Sequence, residues 1–189
     1  MIIGLTGTIG SGKGELSTYL RNKNFNYITI SDLIREELLK RNLPLKREEL
    51  QNLGNEMRKI HGNNFWAKKA IEKINLNENL IIDGIRNIGE VEEFKNLPNF
   101  FLLAIDAPEE LRLIRTKRRK RVIDGRISSD PQNQEKFKQL EKRDRGFNEP
   151  EYGQQVLKCL EVADYTIIND STLDKLYEKL DLFLKKFMG

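Results

Sequence analysis

Cysteine and histidine are almost missing from this chain, which holds one of each, Cys159 and His61, among 189 residues. One thiolate and one imidazole cannot complete the usual tetrahedral zinc site, and a single cysteine cannot form an intramolecular disulfide. Apolar runs near the ~18 residues of a membrane span are also missing, as are the features of a secretory signal after Met1. These absences predict a cytoplasmic protein without structural zinc and without membrane association.

Proline is scarce as well, and the five prolines all stand at plausible boundaries between helices and strands. We find no internal repeat, no low-complexity segment and no linker rich in Pro, Gly or Ser. The sequence therefore predicts one domain over residues 1–189.

Five short apolar runs are separated by helical patterns. They are Ile2 to Thr6, Tyr27 to Ile30, Leu80 to Asp83, Phe100 to Ile105 and Tyr165 to Ile168. Continuously apolar strands alternating with helices are typical of a parallel sheet that is covered on both faces. We expect a three-layer α/β fold with a five-stranded parallel sheet.

The helical segments carry recognisable start and stop signals. Ser31 or Asp32 is the expected N-cap of one helix, and Asn64 is the expected cap of another over Phe65 to Ile74. Further helices are expected over about Arg47 to Ile60, after Pro108, from Asp130-Pro131 to about Arg145, over about Gln154 to Ala163, and after Ser171.

A glycine-rich loop between the first strand and the first helix is the strongest functional signal. It reads Gly7-Thr8-Ile9-Gly10-Ser11-Gly12-Lys13 and fits the G-x-x-x-x-G-K pattern of phosphate-binding loops. Its backbone N–H groups and the helix N-terminus favour an anion, and a lysine there can follow the β and γ phosphates of ATP. The alternative is a glycine-rich turn without function.

Two positions of this loop depart from the common pattern. Gly14 stands where a Ser or Thr hydroxyl would bind Mg²⁺, and Glu15 follows it. Asp83, at the end of an apolar strand, is instead the candidate for holding Mg²⁺ through water. Its alternative role is to cap the segment that follows the strand. The predicted donor-binding residues are Gly7, Thr8, Ile9, Gly10, Ser11, Gly12, Lys13, Gly14 and Glu15.

These motifs resemble the nucleoside monophosphate kinase group of P-loop proteins. The loop is similar to that of adenylate kinases, Asp32-Leu-Ile-Arg35 resembles their acceptor-binding segment, and Asp83-Gly-Ile-Arg86 resembles their Asp-Gly-Phe-Pro-Arg. Over its whole length the chain resembles a largely archaeal family of adenylate-kinase-like P-loop proteins. The resemblance implies a P-loop NTPase fold with a helical lid over about residues 112–145 and acceptor-binding helices over 31–75. It also places Asn169 near the adenine and Arg86 near the acceptor.

A basic block follows Pro108 and supplies candidates for phosphate-binding lid residues. Arg115 and Arg119 are four residues apart and therefore lie on one face of the predicted helix. Arg143 and Arg145 resemble the second pair of lid arginines in the same kinase group. The alternatives for the basic block are a solvated helix face or a stripe that binds nucleic acid.

Arg35 and Arg58 are the candidates for binding the acceptor's phosphate, because a guanidinium binds phosphate bidentately. The alternative for Arg35 is an ion pair with a neighbouring glutamate. Asp32 has two candidate roles: it orients Arg35 if the acceptor presents a phosphate, or it accepts a proton if the acceptor presents a hydroxyl. His61 and the neighbouring Trp66 are interpreted as packing residues.

Together these features predict an ATP- and Mg²⁺-dependent kinase whose acceptor is a nucleoside or deoxynucleoside monophosphate. The opening sequence is also similar to dephospho-coenzyme A kinases, so phosphorylation of a sugar hydroxyl is the second hypothesis. An RNA- or ribosome-associated ATPase is the third, because of the basic block and a pI near 9.1. The block lacks interleaved aromatics, so we expect no nucleic-acid partner, and we expect a monomer or a homodimer.

Overall fold

A five-stranded parallel sheet forms the centre of the computed structural model, which describes residues 1–118, 122–123, 126–127 and 134–188. Its strands are β1 (Ile2–Gly7), β2 (Asn26–Thr29), β3 (Leu80–Asp83), β4 (Phe100–Asp106) and β7 (Tyr165–Ile168). Their order is β2-β3-β1-β4-β7, so β1 and the loop that follows it lie in the middle. Two short strands, β5 (Val122–Ile123) and β6 (Arg126–Ile127), form a separate antiparallel pair.

Helices connect the strands. They are α1 (Lys13–Arg21), α2 (Ile30–Lys40), α3 (Arg47–His61), α4 (Phe65–Ile71), α5 (Ile88–Lys95), α6 (Glu109–Arg118), α7 (Gln134–Arg145), α8 (Val156–Glu161) and α9 (Leu173–Met188). Because every strand of the sheet runs in one direction, the loops at the carboxyl ends of β1, β2, β3 and β4 meet at one edge.

The two faces of the sheet carry separate apolar cores. Successive residues of β1 point to opposite faces, so Ile2 packs with α2, α3, α4 and α5 while Ile3 packs with α1 and α9. Arg58 and Arg112 are the exceptions among the large, fully buried side chains, since both are charged. The two cores confirm the predicted three-layer arrangement with helices on both sides of a five-stranded parallel sheet.

Several predicted boundaries are wrong by a few residues. Helix α2 begins at Ile30, because the Thr29 side chain caps it by accepting the N–H of Ser31 at 3.1 Å, whereas Ser31 or Asp32 was the expected cap. Asn64 stands at the N-cap of α4 as expected, although its side chain makes no capping bond and donates to Glu93 at 2.7 Å, and the helix ends at Ile71 instead of Ile74. The expected start at Asp130-Pro131 lies outside the described residues.

Helix α5 and the β5–β6 pair were not predicted. Helix α5 has only eight residues, and its buried side consists of Glu90, Val91 and Phe94, which is too short an apolar pattern to indicate a helix. It is fixed by a capping box in which Asn87 and Glu90 satisfy each other's backbone N–H groups.

Candidate functional site

The glycine-rich loop turns sharply from the end of β1 into α1. Gly10 and Gly12 have φ angles of 77° and 110°, a region that other residues rarely adopt. A Cβ on Gly10 would lie 2.6 Å from the Arg112 carbonyl oxygen, and one on Gly12 would lie 2.4 Å from Nδ2 of Asn169. Both glycines are therefore required by conformation and by space, and they direct the loop around the N-terminus of α1.

Lys13 stands at the first position of α1 and folds back over this loop. Its Nζ donates to the carbonyl oxygens of Gly7 and Thr8, the second at 3.1 Å. Burial, together with the charge of Arg86, lowers the pKa of Lys13 to about 7, although the Asp83 carboxylate opposes the shift. Because burial destabilises the charged form of Lys13, an anion bound next to its ammonium group would stabilise it.

Asp83 ends β3 directly opposite the loop. One of its carboxylate oxygens accepts from the Tyr27 hydroxyl at 3.0 Å, whereas Oδ1 is buried and finds no donor among the described residues. Partial burial and the nearby carboxylate raise the pKa of Tyr27, so the phenol stays protonated and remains a donor. Ser11 Oγ, in the loop, is buried without a hydrogen-bond partner in the same described part of the chain.

A polar cleft of about 220 Å³ joins the loop to residues from three other segments. Loop residues 8–14 form one wall. Of the predicted acceptor residues, the structure brings Asp32, Arg35, Asp83 and Arg86 to the other side. Gly7 lies at the end of β1 behind this wall, and Glu15 faces a second cavity.

Asp32 and Arg35 form an ion pair on the first turns of α2, with Nη1 of Arg35 2.5 Å from Oδ1 of Asp32. The Asp32 side chain is 54% exposed and that of Arg35 is 30% exposed, so both remain accessible to a ligand. The predicted pair therefore lies together at the rim of the cleft.

Arg47, at the start of α3, also lines the cleft and was not predicted. We call Arg35, Arg47 and Arg86 the acceptor arginines, because the sequence predicts acceptor binding for Arg35 and Arg86. They come from α2, α3 and the loop after β3, and all three line the same end of the cleft.

Asp144 forms ion pairs with two of the acceptor arginines, Arg47 and Arg86. The carboxylate, on the last turns of α7, is 0% exposed and accepts from Arg47 at 2.7 Å, from Arg86 at 2.5 Å and from Gln51 at 2.5 Å. Burial alone would raise the pKa of Asp144, but Arg47 and Arg86 outweigh it and hold that pKa well below its usual range. The carboxylate is therefore an anion fixed between two cations.

Arg58 is not at the cleft, contrary to the sequence prediction. Its side chain is 0% exposed and pairs with the equally buried Glu90, at 2.9 Å from Nε and 2.7 Å from Nη2 to Oε1. Glu90 in turn accepts the backbone N–H of Arg86 at 2.8 Å. Arg58 therefore supports the backbone that carries an acceptor arginine, and it has no open side from which to bind a phosphate.

A second cavity, of about 470 Å³, lies on the other side of the loop. Arg115 and Asn169 line it, with the Arg115 guanidinium donating to the backbone oxygen of Asn169 at 3.1 Å and to Oδ1 at 3.3 Å. Nδ2 of Asn169 donates to the Ser11 carbonyl at 2.8 Å. Asn169 thus ties β7 to the phosphate-binding loop and to α6.

Two other predicted lid arginines, Arg143 and Arg145, do not line either of these cavities. Arg143 pairs with Glu149 at 3.1 Å and donates to Asn52 at 2.7 Å. Arg145 pairs with Glu141 at 3.1 Å. Arg119 lies outside the described residues.

The residues that sequence reasoning missed are Tyr27, Arg47, Asp106 and Asp144. Asp106 ends β4 and accepts from the Thr8 hydroxyl at 2.5 Å, so it fixes the start of the loop. The sequence could have indicated Asp106 as a site residue, because this carboxylate directly follows a predicted strand. Asp144 stands between Arg143 and Arg145, and no local feature distinguishes it from a solvated acid.

The described residues contain neither a ready-made metal cluster nor a membrane-spanning helix. Among them, no three His, Cys, Asp or Glu side chains are grouped closely enough to hold a metal by themselves. No helix in the same ranges has the length and apolar character needed to cross a membrane.

Comparison with known proteins agrees with this architecture. Residues 3–151 match a family model described as an AAA domain. The chain is 36% identical over 187 residues to a UPF0200 protein of Sulfurisphaera tokodaii, covering 99% of this chain and 97% of that protein. A UPF0200 protein of Pyrococcus horikoshii is 31% identical over 196 residues and is covered to 98%.

Solved structures share the fold at lower identity. TT1252 from Thermus thermophilus superposes with a TM-score of 0.59 at 20% identity, covering all of this chain and 98% of that one. Shikimate kinase from Acinetobacter baumannii, in complex with shikimate, gives 0.58 at 19% identity, with coverage of 100% and 95%. The sheet, the loop and these matches identify a P-loop kinase fold, and the chain belongs to the UPF0200 family.

Proposed function

We propose that this protein transfers the γ-phosphoryl group of ATP to a nucleotide acceptor, of which a nucleoside or deoxynucleoside monophosphate is the first candidate. The observation that supports this most directly is the position of the acceptor arginines in the same cleft as the phosphate-binding loop. Phosphoryl transfer requires two anionic substrates to be held close together and in line, which only converging cations permit.

The donor half of the proposed site is the loop with Lys13. Its N–H groups and the N-terminus of α1 would bind the β and γ phosphates, and these phosphates would replace the carbonyl oxygens that Lys13 now contacts. The proposed lid residues Arg115, Arg119, Arg143 and Arg145 remain predictions. Arg119, Lys120 and Arg121, in the basic block that motivated a nucleic-acid partner, lie outside the described residues.

The residues present fit a water-mediated Mg²⁺. Asp83 Oδ1 is a buried carboxylate oxygen with no donor in the described ranges, and it faces the loop across the cleft. One carboxylate with phosphates and waters is a usual way to hold this ion, which needs no all-protein cage. When bound, Mg²⁺ would neutralise charge that develops on the phosphates.

The acceptor half of the cleft presents three guanidinium groups. Arg35 is paired with Asp32, and Arg47 and Arg86 both contact Asp144. A guanidinium can bind a phosphate bidentately, so an acceptor with its own phosphate fits this end of the cleft. A phosphate acceptor is already ionised and needs no base.

A sugar hydroxyl is the second candidate acceptor, as in dephospho-coenzyme A, and the accessible Asp32 carboxylate favours it. The two candidates predict different kinetics for Asp32→Asn. A general base contributes ~10²–10⁴-fold to turnover, whereas an orienting carboxylate acts mainly on acceptor binding.

The test is ADP release with purified protein against nucleoside monophosphates, deoxynucleoside monophosphates and dephospho-coenzyme A at saturating ATP and Mg²⁺. With the best acceptor we expect Asp32→Asn to raise its KM, Arg35→Ala to raise it further, and kcat to survive in both. Arg41→Ala is the matched control, because Arg41 pairs with Glu37 and Glu56 away from the cleft. A thousandfold loss of kcat in Asp32→Asn with an unchanged KM would instead establish hydroxyl phosphorylation.

A further inference from the structure

A small recess opens from the acceptor end of the cleft. It shares Ser31, Arg35, Arg47, Gly84 and Arg86 with the cleft and then continues between α2 and α3. Its volume is about 40 Å³, which is enough for one amino or hydroxyl group and too small for a ring. A group that enters it must therefore project from an acceptor seated in the cleft.

The recess has apolar walls and a polar end. Ile30, Ile34 and Leu50 form the walls, while Gln51 and Gln154 supply amide groups. Both glutamines are nearly inaccessible to solvent, at 4% and 2% exposed. We call this space the glutamine recess.

The orientation of the Gln51 amide is fixed by a carboxylate. Its Nε2 donates to Oδ1 of Asp144 at 2.5 Å. Asp144 is ionised and only accepts hydrogen bonds, so the NH₂ end of Gln51 must face it. The carbonyl Oε1 is left buried, with no donor among the described residues.

The orientation of the Gln154 amide follows from a second carboxylate. Glu149 accepts from Nδ2 of Asn55 at 2.5 Å, which turns Oδ1 of Asn55 toward Gln154. Nε2 of Gln154 donates to that oxygen at 3.1 Å. Its carbonyl Oε1 therefore also remains buried and, within the described part of the chain, without a donor.

Burying Oε1 of Gln51 and Oε1 of Gln154 without a donor destabilises the ligand-free protein, and a ligand group that donates to them would remove this cost. We propose that the glutamine recess selects acceptors whose distal end donates a hydrogen bond, and that Gln51 and Gln154 are specificity-determining residues for an exocyclic amino group over a carbonyl. This inference rests on the proposed function and adds to it the chemical class of the acceptor's base. A carbonyl in the same place would set oxygen against oxygen.

The experiment compares three purine monophosphates that differ in the group on C6: AMP with an amino group, purine riboside monophosphate with hydrogen, and inosine monophosphate with a carbonyl, whose lactam form also carries a hydrogen on N1. We expect kcat/KM to fall in that order, by about tenfold or more between the first and the last. CMP against UMP gives the same comparison on a pyrimidine. Equal kcat/KM for all three purines, or a preference for the carbonyl, would overturn the inference.

Substitutions of the two glutamines test whether the preference for an amino group arises in the glutamine recess. Gln154→Met and Gln51→Met keep the side-chain length and remove the carbonyl oxygen, so each should reduce the preference for amino over carbonyl by severalfold. Leu50→Met is the matched control, because it changes a wall without changing an acceptor atom and should alter all three substrates equally. If one glutamine variant fails to fold, the other and the wild-type series still decide the question. A preference that survives both glutamine variants would overturn the assignment.

Failure of the proposed function has a different signature. In that case no monophosphate would be phosphorylated in the presence of ATP and Mg²⁺, and the inference would fall with it. Phosphorylation of all monophosphates without discrimination would leave the proposed function in place and remove only the glutamine recess from it.

Discussion

Replacing Asp144 with asparagine removes one negative charge from the centre of the arginine network while keeping the side chain's shape. The Asn carbonyl can take the place of Oδ2 and still accept from Arg47 and Arg86, but the negative charge is gone and the NH₂ group would face Nε2 of Gln51. Loss of one partner from a buried ion pair costs about 3–5 kcal/mol. Because the two arginines keep some access to water, we expect the lower end, about 3 kcal/mol.

For a chain of this length, 1 kcal/mol corresponds to a change in Tm of about 2–4 °C, so Tm should fall by about 6–12 °C. Differential scanning calorimetry measures it directly. Asp174→Asn, on the exposed surface of α9, is the control and should leave Tm within about 1 °C. A fall in Tm for Asp144→Asn smaller than about 2 °C would refute the idea that the carboxylate stabilises this network.

The same variant gives a second, pH-dependent readout. A carboxyl group whose pKa is lowered by folding stabilises the protein above its unfolded pKa of ~3.9, and this stabilisation is lost as pH falls toward the folded pKa. The difference in unfolding free energy between wild type and Asp144→Asn should therefore be constant above about pH 5 and become smaller below about pH 4. Acceptor KM should rise in the variant while the KM for ATP stays nearly unchanged, because Arg47 and Arg86 lie on the acceptor side.

Three further outcomes are expected. Because the pKa of Lys13 is lowered to about 7, the free energy of unfolding of the ligand-free protein should rise by about 3 kcal/mol between pH 7 and 9.5. Chemical denaturation of Lys13→Met should show no such rise. Arg58→Met should lower the unfolding free energy by about 3–5 kcal/mol in urea titrations, yet change the acceptor KM less than threefold. A KM effect as large as that of Arg35→Ala would show instead that Arg58 binds the acceptor. Asp83→Asn should raise the Mg²⁺ concentration for half-maximal turnover about tenfold, and an unchanged Mg²⁺ titration would contradict a role in holding the ion.

The sheet and the loop could be predicted because their signals are local. Each strand is one apolar run, and the spacing from Gly7 to Lys13 depends only on adjacent residues. The acceptor side depends on contacts between distant segments, which periodicity does not reveal. Arg58 illustrates the limit. Its helix was predicted correctly, but which of its faces meets Glu90 depends on how α3 lies against the first turn of α5.

The hydrogen bonds of Asp144 span 97 residues to Arg47, 58 to Arg86 and 93 to Gln51, whereas Lys13 contacts carbonyls only six and five residues away. Contacts between distant residues form slowly, because the chain entropy of closing the intervening loop is lost before the contact is made. During synthesis the phosphate-binding loop and its first helix emerge long before α7. The nascent chain therefore acquires the phosphate-binding loop and its first helix early, and completes the hydrogen-bond network around Asp144 only when residue 144 has left the ribosome.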